Sequence, residues 1–573
     1  MENDNSDIKV GIDLGTTYSC IAYLDGEGKP QVCKSLYGSD TTPSVVYFRD
    51  DGDVLVGETA VDESLAFDPE RAARGVKGHM GTDWRFSVDG KDYTPVNISA
   101  VILRRMLDDI EELQATHVKK AVITCPAYFG QRERDATKEA GLEAGLEDVR
   151  ILNEPTAAAI SFGFGHEEDG KKRVLVYDLG GGTFDVTVLD IDGKRFTAIA
   201  TDGEMKLGGM MWDEELYNII VKKLAVSCGM PEEEVMTEAA DSQKLLHDAE
   251  TAKKRLSTNV SVRGAFTTSK GVRGSYTVTR KEFEDATRPL IETTVDIVRR
   301  TLESKNIDPH SIDAFLLVGG SSKMPQVKDA LKEAFPDNDI NVYDPDQSVA
   351  KGAALFSGYS FEEKVVEEAA PAAVKKPSEA PAQAAAPAAA PSEGVAAAPA
   401  GEAETIVVED ASEPESIPQT DGEEVPDDKQ IIVHNVLSKT FGIKVTDEKK
   451  NEYISNIIFR NEVLPISKAK IYYPVDEGQK TVSIEIYENL ADTGTGRTEL
   501  VEGTSVGEFQ VNLPDGINRS TEVRVKFTAS DEGILTASAD CLDTHKEYEI
   551  KCSFQTTEEE RQLSKGLIER MTQ

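Results

Sequence analysis

Asp13-Leu-Gly-Thr-Thr17 and Asp178-Leu-Gly-Gly-Gly-Thr183 are two versions of one short motif, set 165 positions apart. Each joins a carboxylate to a turn rich in glycine and hydroxyl groups. Glycine tolerates φ > 0 and lets bare N–H groups approach a ligand closely. Such a turn suits a phosphate chain and its divalent metal, and two of them suggest a duplicated lobe gripping a nucleoside triphosphate from both sides. Other segments offer further contacts. Asn153-Glu-Pro-Thr-Ala-Ala-Ala159 sets the carboxylate of Glu154 just before a helix. The run Glu250–Ser257 puts Glu250, Lys253, Lys254 and Ser257 on one helical side, three and four residues making one turn. Asp313–Pro325 reads as a buried strand, a Gly319-Gly320 turn and a helix start; a flat adenosine could lie on that turn, with Ser321 and Lys323 at its edge. No Gly-x-x-x-x-Gly-Lys-Ser/Thr element occurs, which excludes a P-loop.

The elements that must position these groups divide the chain into three parts. From Ile8 to about Gly358, strand-like runs alternate with helical stretches, predicting α/β architecture with helices near Tyr128–Ala144 and Pro325–Phe335. Each motif copy follows an apolar strand (8–12 and 174–177) and runs into another (18–24 and 184–189). Residues 361–430 hold 18 Ala, 9 Pro, 17 acidic residues and 4 Lys, too little apolar surface to offset chain entropy. A disordered linker is expected there; the alternative is a partner-binding tail that folds on contact. From Ile431 the period becomes two: Val482, Ile484 and Ile486, then Val523, Val525 and Phe527, then Tyr548, Ile550, Cys552 and Phe554. That alternation predicts half-buried antiparallel strands and a β-sandwich. Thr556–Met571 reads as one short capped helix. The expected division is 1–360, 361–430, 431–555 and 556–573.

A net charge of −40 argues against nucleic-acid binding, which demands a basic face. Six scattered cysteines indicate neither a disulfide framework nor a zinc site. The acidic N-terminus does not read as a signal peptide, and no apolar run approaches the ~20 residues needed to span a bilayer. A cytoplasmic protein without a membrane partner is the expectation.

Six segments, taken together, closely resemble the 70-kDa heat-shock chaperone family, the DnaK-like proteins. They are Gly11–Ser19, Cys125–Phe129, Ala136–Gly141, Ile151–Ala159, Asp178–Asp185 and Leu317–Ser321, in family order. The resemblance covers about 8–358 and implies an actin-like fold of two lobes with ATP or ADP in the cleft. It implies that Asp13 and Asp178 hold Mg²⁺ through its waters, with K⁺ a possible companion. Thr16, Thr17, Gly180, Gly181, Gly182 and Thr183 would cradle the phosphates, with Gly208 beside them. Lys77 resembles the family's catalytic lysine, though its flanks differ from the usual Ile-Lys-Arg. Glu154 would help order the metal and the attacking water, and Asp185 and Asp346 would complete the surroundings. Lys254 and Lys323 stand where the family usually has Arg, which weakens planar stacking on adenine. The competing readings leave Lys77, Ser257 and Lys323 as ordinary surface residues and Glu154 as a helix cap.

Residues 431–554 resemble the family's peptide-binding β-domain more faintly. On that register Ile454, Tyr472, Val475, Val482 and Ile484 would line a groove for an extended apolar peptide; alternatively they are sandwich core. Two departures bear on mechanism. The apolar interdomain linker has its nearest match in Ile431–Val436, with Asn435 in place of the expected Asp, and the 70 residues before it would dilute domain coupling. Thr556–Gln573 is far shorter than the family's helical lid, so fast peptide exchange is expected. Arg134, Lys138, Arg150 and Pro126 match positions that the family uses for interdomain signalling. The implied function is an ATP-hydrolysing, stress-linked chaperone of unfolded polypeptide, served by a J-domain co-chaperone and a nucleotide exchange factor. A nucleotide-sensing scaffold without a refolding cycle is the alternative, and an actin-fold sugar kinase a remote third.

Overall fold

The computed structural model describes residues 8–164, 170–361, 406–407, 415–416, 430–447, 449–513, 517–541, 546–551 and 556–572. Two sheets of matching topology build the N-terminal part. In the first, Ile8–Asp13 pairs antiparallel with Tyr18–Leu24 and parallel with Val118–Cys125, which pairs parallel with Asp148–Asn153. In the second, Lys172–Leu179 pairs antiparallel with Phe184–Asp192 and parallel with Ala314–Val318, which pairs parallel with Ile340–Val342. Each motif is thus the turn of an antiparallel hairpin whose first strand also heads a parallel run. Those first strands are apolar because both faces are covered; Val10, Ile12, Leu175 and Tyr177 are fully buried.

The helices anticipated near Tyr128 and Pro325 run Gln131–Glu143 and Pro325–Ala334. Two others, Glu154–Gly163 and Ser348–Ser360, cross against each other between the sheets. Their contact is so close that a Cβ on Gly352 would lie 1.7 Å from the Ala157 carbonyl oxygen.

The C-terminal part is the anticipated sandwich. Thr440–Thr446, Glu452–Ile458, Thr481–Asn489 and Thr504–Asn512 make one antiparallel layer; Ile466–Pro474, Val523–Ala529, Leu535–Cys541 and Lys546–Lys551 make the other. Their inward alternation fills one core, with Val482, Ile484, Val523, Val525 and Phe527 at zero exposure. Cys552 and Phe554 lie outside the described residues, as does most of the expected linker 361–430. Two short strands of that segment are described, and both pair with the sandwich.

The sandwich and the N-terminal part touch through several described elements. Ile432–His434 adds a parallel strand to Arg195–Glu204, extending the second sheet. The terminal helix Glu558–Ile568, opened by a Thr557/Glu560 capping box, lies on the first lobe and not over the sandwich. Leu567 is buried in that lobe's core, Asn97 Nδ2 donates to Ser564 Oγ (2.8 Å), and Val54 bridges Met571.

Candidate active site

Between the two hairpin turns lies a cleft of about 610 Å³, within the ordinary range for ligand pockets. Asp13, Thr16, Thr17, Lys77, Glu154, Asp178, Gly180, Gly181 and Thr183 line its inner end. Glu250, Lys253, Lys254, Ser257, Gly319, Gly320, Ser321, Lys323 and Asp346 line the outer end. The residues singled out from the sequence therefore converge, apart from Gly182, Asp185 and Gly208, which stand behind the lining.

The turns are fixed by their own bonds. Gly15 N–H donates to Ser19 Oγ (3.1 Å), and Ser44 Oγ donates to the Gly15 carbonyl (2.7 Å). In the second turn Gly180 N–H donates to the Thr183 carbonyl (3.0 Å), while Gly209 N–H and Ser321 Oγ donate to the Gly180 carbonyl. Glycine is required where the turns meet: a Cβ on Gly181 would sit 2.0 Å from Thr17 Oγ1, and one on Gly208 would fall 2.6 Å from Gly182 backbone atoms.

The inner end is charged, and most of its ionisable side chains are buried. Lys77 and Glu154 are both buried and form an ion pair, Lys77 Nζ donating to Glu154 Oε1. Burial raises the Asp13 carboxyl to about 7, helped by the Glu154 charge and opposed by Lys77. Asp178 is pushed well above the carboxylate range by burial, then by Glu154 and Asp13; Asp185 is raised by burial, Glu154 and Asp178. For Lys77 burial acts against the ammonium, but Glu154 and Asp13 outweigh it and its pKa rises. Four carboxyl groups with one ammonium form a site short of positive charge, which is what a divalent cation supplies. Asp185 Oδ2 accepts from Ala127 N–H (3.2 Å), while its Oδ1 is buried without a partner. Among the described residues no cluster of three or more His, Cys, Asp or Glu is arranged to ligate a metal directly. A water-shelled ion such as Mg²⁺ fits such a donor set.

At the outer end Lys254 lies over the Tyr18 ring at 4.5 Å, donates to Tyr18 Oη (2.8 Å) and pairs with Glu250 (2.6 Å). Lys323 pairs with Asp346. Lys253 is anchored by Asp213 (2.7 Å) and by the Gly209 carbonyl (2.8 Å). Tyr18, Met210 and Asp213 line the cleft and were not anticipated. Asp213 lies four positions after Gly209 on the helix Gly209–Cys228, and that helical spacing toward a glycine turn was the available signal.

Comparisons with known proteins bear on this geometry. The Hsp70 protein family model matches residues 9–370 and 421–573. The chain belongs to the Hsp70 family. It is 34% identical to the chaperone protein DnaK of Thermosipho africanus (strain TCF52B), over 95% of this chain and 79% of that relative. It is 34% identical to the DnaK of Thermotoga maritima, over 95% and 80% of the two chains, and 33% identical to that of Thermosipho melanesiensis, over 94% and 79%. This Hsp70 accordingly has a two-lobed actin-like ATPase domain and a β-sandwich, and it is an ATP-dependent chaperone that binds ATP or ADP with Mg²⁺. The scaffold alternative is not favoured.

In this Hsp70 the anticipated signalling residues meet the sandwich. Arg134, Lys138 and Arg150 converge on Glu532, through its carbonyl at 3.4 Å for Arg134 and its carboxylate at 3.9 and 3.3 Å for the others. Gln131 Oε1 accepts from Leu535 N–H (2.6 Å), and Asn435 Oδ1 accepts from Thr156 Oγ1 (3.1 Å). Pro126 precedes Ala127, the residue bonded to Asp185.

The anticipated peptide-groove residues do not gather on an open surface. Ile454, Tyr472, Val482 and Ile484 are fully buried, the last three in the sandwich core, because the facing layer packs against them. Val475 alone reaches an open cavity of about 700 Å³, shared with Thr446, Lys450, Glu452 and Asp476.

Proposed function

We propose that the cleft hydrolyses ATP with a division of labour between its two ends. Asp13 and Asp178 would hold Mg²⁺, and the turns carrying Thr16, Thr17 and Gly180–Thr183 would offer backbone and hydroxyl donors to the phosphates. Lys77, kept protonated by its carboxylate neighbours, spends one of its three donors on Glu154 and has others for phosphate oxygen or water. Glu154 orients the attacking water. A metal held there would supply charge neutralisation at the phosphate oxygens. Glu250, Lys253, Lys254, Ser257, Gly319–Lys323 and Asp346 hold the adenosine end, and K⁺ as a companion ion belongs to the same reading.

The nucleotide domain spans 1–360, a connector 361–430, a peptide-binding domain 431–555 and a terminal segment 556–573. The sandwich takes unfolded polypeptide, and a J-domain co-chaperone and an exchange factor set the tempo in the cytoplasm. The observation that carries the reading is a shared sheet. The turn Asp178–Thr183 and the docked strand Ile432–His434 belong to one six-stranded sheet, so a change at the phosphates is felt at the lead-in to the sandwich. The test is ATP hydrolysis by the purified chain with and without a J-domain protein and an unfolded peptide. Stimulation by both supports the coupled cycle; turnover indifferent to both overturns it.

A further inference from the structure

The sandwich carries an unusual added strand. Ile406–Val407, far upstream in the connector, pairs on two sides at once. It runs parallel to the end of Thr440–Thr446, Ile406 opposite Val445 and Val407 opposite Thr446. It also runs antiparallel to the end of Ile466–Pro474, with Ile406 opposite Pro474 and Val407 opposite Tyr473. These two strands belong to opposite layers, so the dipeptide bridges a slot between them. Further along the same edge of Ile466–Pro474, Glu415–Ser416 pairs with Ala469 and Lys468, again antiparallel. The connector therefore follows one strand edge in two separate places.

The sequence singles out the same point. Ile406-Val407-Val408 is the only run of three β-branched aliphatic residues between 361 and 430, and β-branched residues are the class best suited to an added strand. Acidic residues flank it, Glu404 before and Glu409-Asp410 after. The open cavity beside the slot is lined by Thr446 and Val475, at the ends of the two strands that the dipeptide bridges. An extended peptide taken up by strand addition needs free backbone edges of this kind.

We propose that the chain's own Ile406–Val407, seated between Thr440–Thr446 and Ile466–Pro474, is an internal competitor for the extended peptide that the sandwich takes. The proposal rests on the reading of the sandwich as a peptide-binding domain. A tethered segment acts at an effective concentration on the order of millimolar, so a foreign peptide must displace it before binding.

The test compares the full chain with the full-length double variant I406D/V407D. Hydrogen exchange is followed at amides 443–447 and 471–475, and binding is followed with a fluorescein-labelled peptide copying residues 402–411. The expected result is exchange faster by about tenfold or more in both stretches of the variant, with the labelled peptide held about tenfold tighter. A carboxymethylated, permanently unfolded protein serves as the second probe. If it binds both chains equally and exchange is unchanged, the internal competitor is overturned while peptide capture stands. If neither chain binds it or the labelled peptide, the peptide reading falls, and self-competition falls with it.

Discussion

Among the described residues Lys77 is the one cation beside the buried carboxyl groups at the inner end of the cleft, and its loss leaves Glu154 buried without this partner. Lys77→Ala is expected to slow single-turnover ATP hydrolysis by a factor on the order of 10² to 10³, the usual cost of removing one preorganised electrostatic group. Fold is expected to survive, which circular dichroism checks. At the outer end, Lys254 over the Tyr18 ring offers a point charge where a planar guanidinium would present a face. Lys254→Arg should tighten ADP binding several-fold in a calorimetric titration while leaving the rate of the chemical step unchanged. Unaltered affinity would mean that the base does not lie on this side chain. The sequence exposed most of this site because phosphate turns carry their chemistry in contiguous residues. It hid Tyr18, Met210 and Asp213, which reach the cleft only through the folded path of the Gly209–Cys228 helix and the first hairpin.

Two helices cross between the sheets with almost no space, and Gly352 is the reason that they can. Gly352→Ala sets a methyl group against the Ala157 backbone, so the helices must part. Overpacking of this kind costs about 1–3 kcal/mol and should appear as a melting point lowered by several degrees, with weaker nucleotide protection against heat. A melting curve identical to that of the parent chain would show that the crossing relaxes freely. Period-two patterning located the sandwich strands well, since alternation is set by one buried face. It could not separate groove from core: Tyr472, Val482 and Ile484 point inward, and an inward face reads the same in sequence whether another layer or a peptide covers it. The connector was legible in composition alone, and its pairing at Ile406–Val407 depends on edges that only the folded sandwich creates.

The two halves of the molecule meet with like charges across the seam. Glu488 of the sandwich and Glu133 of the ATPase domain each bury an unpartnered carboxyl oxygen, and Glu488 packs against Gly130. Burial, then the Glu133 charge, raises the Glu488 carboxyl to about 7, against the opposing influence of Lys439, the Gln131 backbone and Arg132. A group whose pKa is higher in the docked state favours docking when protonated. Docking assistance is therefore full below the ordinary glutamate value and lost as pH rises through about 7, at up to about 1.4 kcal/mol per pH unit. Small-angle scattering between pH 6 and 8 should show the undocked fraction rising with pH. Glu488→Gln, which cannot ionise, should flatten that dependence; a profile that Gln leaves unchanged assigns the titration elsewhere.

The terminal helix carries a consequence for how such a chain is made. Leu567 fills the same core as Val10 and Ile12, and Val54 is zipped to Arg570 and Thr572 by backbone bonds. A lobe begun by residue 8 is thus fully clad only once residue 572 has left the ribosome. At ordinary rates of synthesis that interval is on the order of half a minute to two minutes. Throughout it the nascent lobe shows an apolar stripe to its surroundings, so this chaperone is, during its own birth, the kind of client that chaperones protect.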